Sequence, residues 1–141
     1  MSTTNLQIAT PTESTLTLAF TLPPAVAALL NSDYKQEIVM VGSMAACQVT
    51  EDLLPRLMGV DPYESFYMDL SRGTYIPGGH PDYPHSFVGV LKADPLLVET
   101  VNKHAAELSS HFLSELDYLM ARHGFVRSWS GRLLDWLKAR G

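Results

Sequence analysis

Residues 94–124 read DPLLVETVNKHAAELSSHFLSELDYLMARHG, and the periodicity of this stretch decides the fold. Asp94 offers an N-cap carboxylate and Pro95 takes the first helical position, where its missing N–H leaves no bond unmade. At 100° per residue, Leu97, Ala105, Leu108, Phe112, Leu116 and Leu119 all fall within about 60° of Val101. One apolar stripe therefore faces a core. The helix predicted over residues 95–122 would be roughly 42 Å long at ~1.5 Å per residue, and Gly124 supplies the left-handed residue that closes it.

Upstream the period changes from helical to two. Leu6 and Ile8 alternate with Asn5, Gln7 and Ala9, and after a turn signal at Pro11–Ser14 the stretch from Thr15 to Leu22 places Leu16, Leu18, Phe20 and Leu22 on one face. This predicts a hairpin. Pro23 and Pro24 end its second strand, and Pro24 opens a short helix running through Leu30. A second hairpin is predicted from Phe66, Met68 and Leu70, opposed to Tyr67 and Asp69, through a turn at Ser71–Gly73 to a short strand at Tyr75 and Ile76. Residues 77–85, PGGHPDYPH, suit only a loop, and Ser86 to Leu91 resumes as an apolar strand.

Residues 33–59 leave two readings open. Glu37–Val41 suits a buried strand, whereas Met44–Gln48 has helix-forming composition, and one helix crossing Gly42 fits as well. Thr50, with Glu51 and Asp52 behind it, resembles a helix start; Gly59 is its stop, and Pro55 bends it. Beyond Gly124, Ser128 or Ser130 caps a final short helix carrying Trp129, Leu133, Trp136 and Leu137 on one side. The expected fold is α+β: an antiparallel sheet built from hairpins, packed on the long helix of about 95–122, with a short terminal helix. It forms a single domain over residues 1–141 with its first few residues flexible.

Composition narrows the function classes. Over 141 residues the net charge is −5, but it is unevenly placed. Residues 1–121 hold five basic residues (Lys35, Arg56, Arg72, Lys92, Lys103) against fourteen acidic ones, a balance of −9. Residues 122–141 hold five basic residues against Asp135 alone, a balance of +4. A mostly acidic surface argues against direct nucleic-acid binding, which requires Lys and Arg to neutralise phosphates. No run is apolar for long enough to span a membrane, and no basic residue precedes the first hydrophobic ones as in a secretory signal, so a cytoplasmic location is expected. Cys47 is the sole cysteine, which excludes an internal disulfide, and without a basic neighbour it is expected as a packed core thiol.

Three constellations carry candidate chemistry. Glu51, Asp52, Asp61, Glu64 and Asp69 form the strongest local acidic excess, balanced only by Arg56, and Tyr63 and Tyr67 add aromatic anchors beside them; this is a candidate surface for a protein partner. His80, Asp82 and His85 lie in the Gly-Gly loop, where a backbone free of side chains can approach a ligand closely. His104, His111 and Glu115 line one edge of the long helix with Tyr118 and Arg122. The two histidines stand about 10 Å apart along the axis, unlike the His-Glu-x-x-His spacing that places both on one ion. There is no P-loop and no Gly-x-Ser-x-Gly elbow, and no motif requires a cofactor or resident metal. The expectation is a non-enzymatic protein-binding module, an acidic inhibitor or regulator of a larger protein or nucleoprotein complex of the sort mobile elements and phages carry, with a basic surface on its partner. Self-association stays open. The alternative is a small metal- or ligand-dependent enzyme using the His80–His85 loop and the His104/His111 edge.

Overall fold

A computed structural model describes residues 5–9, 15–59, 74–79 and 81–122, and within them the chain is α+β as its pattern predicts. Strand β1 (Leu6–Ile8) pairs antiparallel with β2 (Thr15–Thr21), Leu6 opposite Phe20 and Ile8 opposite Leu18. The predicted turn at Pro11–Ser14 lies outside the described residues. Pro24 opens α1 (Pro24–Ala27), which tightens into a 3-10 turn over Ala28–Asn31. Two later strands, β3 (Thr74–Tyr75) and β4 (Ser86–Lys92), complete a sheet of order β1-β2-β4-β3. β2 and β4 pair antiparallel along their full lengths, from Thr15 opposite Lys92 to Thr21 opposite Ser86. The predicted strand at 65–70 lies outside the described residues; β3 pairs with β4, Tyr75 opposite Val88. Ile76 has left the sheet and is exposed. Immediately after it, the Gly79 N–H donates to the Ile76 carbonyl at 2.9 Å with Gly78 at φ +89°. Pro77 then Gly78 is the residue pair a type II turn requires.

Residues 35–57 form a continuous helical arm, and the strand reading of Glu37–Val41 is overturned. Helix α2 (Lys35–Gln48) crosses Gly42 and is followed by a π-turn at Val49–Leu53 and then α3 (Leu54–Leu57). A run of Ile, Val and Met fits a buried helix as well as a buried strand, because both show apolar side chains on every side. The reason for glycine at position 42 is packing: a Cβ there would collide with the edge of the Phe87 ring, so the helix backbone lies directly on the sheet. Thr50 is not a cap. It sits inside the helical arm, its hydroxyl donating to the Ala46 carbonyl at 3.1 Å. The π-turn answers Pro55, which has no N–H and whose ring clashes with the carbonyl four residues back. The Leu54 N–H instead reaches the Val49 carbonyl five residues back, the widened turn that lets the arm continue past the proline. Gly59 ends it at φ +76°, as expected.

Asp94 caps α4 (Pro95–Lys103), its Oδ1 accepting from the Leu96 and Leu97 N–H groups at 2.9 and 3.3 Å. The predicted helix reaches Arg122 but breaks at His104, whose φ −110°, ψ 21° separates α4 from α5 (Ala105–Arg122). The apolar stripe survives the break: Leu97, Val101, Leu108, Phe112 and Leu116 are all fully buried. Gly124 and the predicted terminal helix lie outside the described residues.

The core forms where these helices meet one face of the sheet. Leu16, Leu18 and Phe20 of β2 and Phe87 and Leu91 of β4 join Ile38, Val41 and Ala45 of α2 and the stripe of α4 and α5. The Phe20 and Phe112 rings stand 5.2 Å apart, tilted by 39°, the offset geometry aromatic pairs favour. α2 packs on α5 and α3 on α4, so the two helical arms run antiparallel.

Candidate functional site

The acidic surface is built on the turn that Pro55 forces. Glu51 and Asp52 stand in the π-segment, Glu51 exposed and Asp52 receiving a 2.8 Å ion pair from the Arg56 Nε one turn on. Both partners of that pair are well solvated, so it contributes only about 0.3–0.5 kcal/mol. The pair orders the carboxylate more than it stabilises the fold. Asp61, Tyr63, Glu64, Tyr67 and Asp69 lie outside the described residues.

Cys47 departs from expectation. It is exposed on α2 and belongs to no core. The expectation failed because α2 buries its other side, through Ile38, Val41, Gly42, Ala45 and Val49, which leaves position 47 facing outward. Partial burial around the sulfur, and then the negative charge of Glu51, push the thiol pKa above its ordinary value. Such a thiol is protonated at neutral pH and is a poor nucleophile. Met40 and Met44 share its outward face at 41% and 44% exposure. Sequence reasoning missed both; the signal that could have found them is that Gln36, Glu37, Ser43 and Gln48 fall on the same side of a helix as Met40 and Met44.

The histidine edge of the long helix is a ladder of pairs one turn apart. His104 Nδ1 and Glu107 Oε1 are 2.8 Å apart, and His111 Nε2 and Glu115 Oε1 are 3.9 Å apart. Arg122 donates to the Tyr118 hydroxyl at 3.3 Å with its guanidinium 5.8 Å from the ring centre. Each group meets a neighbour three or four residues along the chain. In the loop, Asp82 and His85 are exposed and Tyr83 is half-buried; the His85 carbonyl accepts from the Leu22 N–H at 3.0 Å, which ties the loop to the end of β2. His80 lies outside the described residues. Among the described residues, no three His, Cys, Asp or Glu side chains gather closely enough to hold a metal ion, so the structure does not bring Asp82 and His85 together with His104, His111 and Glu115 as a ligand set.

Among the described residues, one buried polar atom has no counterpart in the sequence reading: Asp117 Oδ1, on α5, is buried without a hydrogen-bond partner there. Its sequence neighbourhood carries no signal for this. No helix among the described residues is long and apolar enough to cross a membrane. Comparison with protein-family models, curated proteins and solved structures yields no significant match to this chain.

Proposed function

We propose that the protein is a non-enzymatic protein-binding module, an acidic inhibitor or regulator that engages a basic surface on a larger protein. The observation that carries this reading is the grouping on one helical arm of solvent-facing carboxylates, Glu51 and Asp52, with the exposed methionines Met40 and Met44. Carboxylates at the rim of a contact steer a basic partner during approach, and apolar side chains beside them supply contact area once it arrives. The charge of −9 over residues 1–121 extends the same field beyond the arm.

The test is kinetic. With a partner captured from host lysate, the association rate is measured at low and high salt for the parent and for a variant carrying Glu51→Gln, Asp52→Asn, Asp61→Asn and Glu64→Gln. Exposed charges are screened over about 8 Å at physiological ionic strength. The parent should associate more slowly in high salt, and the variant should be slow in both. Equal rates under all four conditions would remove the acidic surface from the mechanism.

A further inference from the structure

The outward side of α2 has the wrong composition for a surface that meets only water. A solvent-facing helix carries a polar stripe opposite its buried one, and α5 does so, with Glu107, Ser110 and Ser114 exposed. α2 buries Ile38, Val41, Gly42 and Ala45, yet its opposite side presents Met40, Met44 and Cys47, bordered by Gln36, Ser43 and Gln48. A helix apolar around most of its circumference is usually enclosed. Here Met40 and Met44 remain 41% and 44% exposed on one side.

We infer that this open side of α2, with Met40, Met44 and Cys47 framed by Glu37 and Glu51, is the seat of a basic amphipathic helix supplied by the partner protein. The inference rests on the function proposed above and names the surface and the partner chemistry. Both ends of the apolar stripe are closed by exposed carboxylates, Glu37 in the first turn of α2 and Glu51 in the π-turn. They lie roughly 21 Å apart at ~1.5 Å per residue, about four helical turns. An occupant lying along the stripe therefore needs apolar side chains at its centre and cations at both ends. Of the nearby cations, Arg56 is engaged by Asp52, and Lys35, exposed in the first turn of α2, lies about 140° around the helix from Met40. Methionine suits the role because its unbranched thioether re-packs against differently shaped partners, and an amphipathic helix docks on such a face through anchors spaced three and four apart.

The full chain, with carbon-13 in its methionine methyls, is titrated with a synthetic leucine–lysine amphipathic helix and with the same peptide carrying glutamate for lysine. The Met40 and Met44 signals should move with the lysine peptide alone, while those of buried Met58 and Met120 hold still. Replacing both exposed methionines (Met40→Ser, Met44→Ser) should weaken binding about tenfold with the thermal unfolding midpoint unchanged. Equal binding by parent and double variant, or equal movement of all four signals, overturns the inference. The same double variant assayed against the captured partner separates the two proposals. Salt-sensitive association identical to the parent's overturns this seat and leaves the proposed function standing. Association insensitive to salt in both proteins overturns the proposed function and the seat with it.

Discussion

Gly42 stands in the middle of a helix, where glycine is about 1 kcal/mol worse than alanine, so its presence requires a compensating contact. The Phe87 ring against its backbone is that contact. Phe87 is itself buried in the core and has little room to swing away. Gly42→Ala should therefore destabilise despite the gain in helix propensity, by about 1–3 kcal/mol, the usual cost of overpacking. Urea unfolding checks the sign, and a second substitution, Phe87→Leu, should recover part of the loss if the clash is its cause. At Cys47 the raised thiol pKa has a chemical consequence. Alkylation near neutral pH should be slow for an exposed thiol and should accelerate as pH climbs toward that raised value. Glu51→Gln removes the smaller of the two causes, leaving burial, so the rate at mildly alkaline pH should rise but not reach that of a free cysteine. An unchanged rate would mean that Glu51 does not act on the sulfur.

At the scale of elements, the parts legible in the sequence were those with one strong local cause. Asp94 and Pro95 announce the start of α4 through capping chemistry alone, and the side chain accepts from two amides there. Asp94→Ala should cost about 1 kcal/mol, within the range for lost N-caps, read as a shift in the urea midpoint at constant slope. The alternation of Leu16, Leu18 and Phe20 likewise defines β2 without reference to its partners. Residues 35–57 resisted the same treatment, because their apolar side chains have no clear period and their glycine and proline are explained only by neighbours: Phe87 for Gly42, and the widened turn for Pro55. The break at His104 was hidden for the opposite reason. The apolar stripe passes through it with its phase nearly intact, so periodicity sees one helix where the backbone makes two. Of the candidate surface, only the charge of Glu51 and Asp52 could be read from the sequence; its apolar part could not, since Met40 and Met44 look like core until the buried side of α2 is known.

At the scale of the whole molecule, α5 meets the sheet through an aromatic pair. Phe112 is fully buried and meets Phe20 across the layer boundary. Phe112→Ala should cost about 3–5 kcal/mol, a large share of the ~5–15 kcal/mol that holds a domain together, and calorimetry should show a much lower melting temperature. A midpoint within a degree or two of the parent's would show that the aromatic pair does not anchor the core. The strand order has a further consequence, which concerns time. The central ladder joins β2 to β4, and Thr21 and Ser86, already at its nearer end, are 65 positions apart in the chain. Closing that distance costs entropy before the ladder returns any energy, so the pairing that organises the sheet cannot form early by local zippering. The helical arm from Lys35 to Leu57 lies inside the closed segment and can coil within microseconds, waiting for a sheet that arrives later. Refolding from denaturant should therefore be slow for a chain with this much helix, with helical signal recovering ahead of aromatic packing, because the rate is governed by the long closure between β2 and β4 rather than by the helices it encloses.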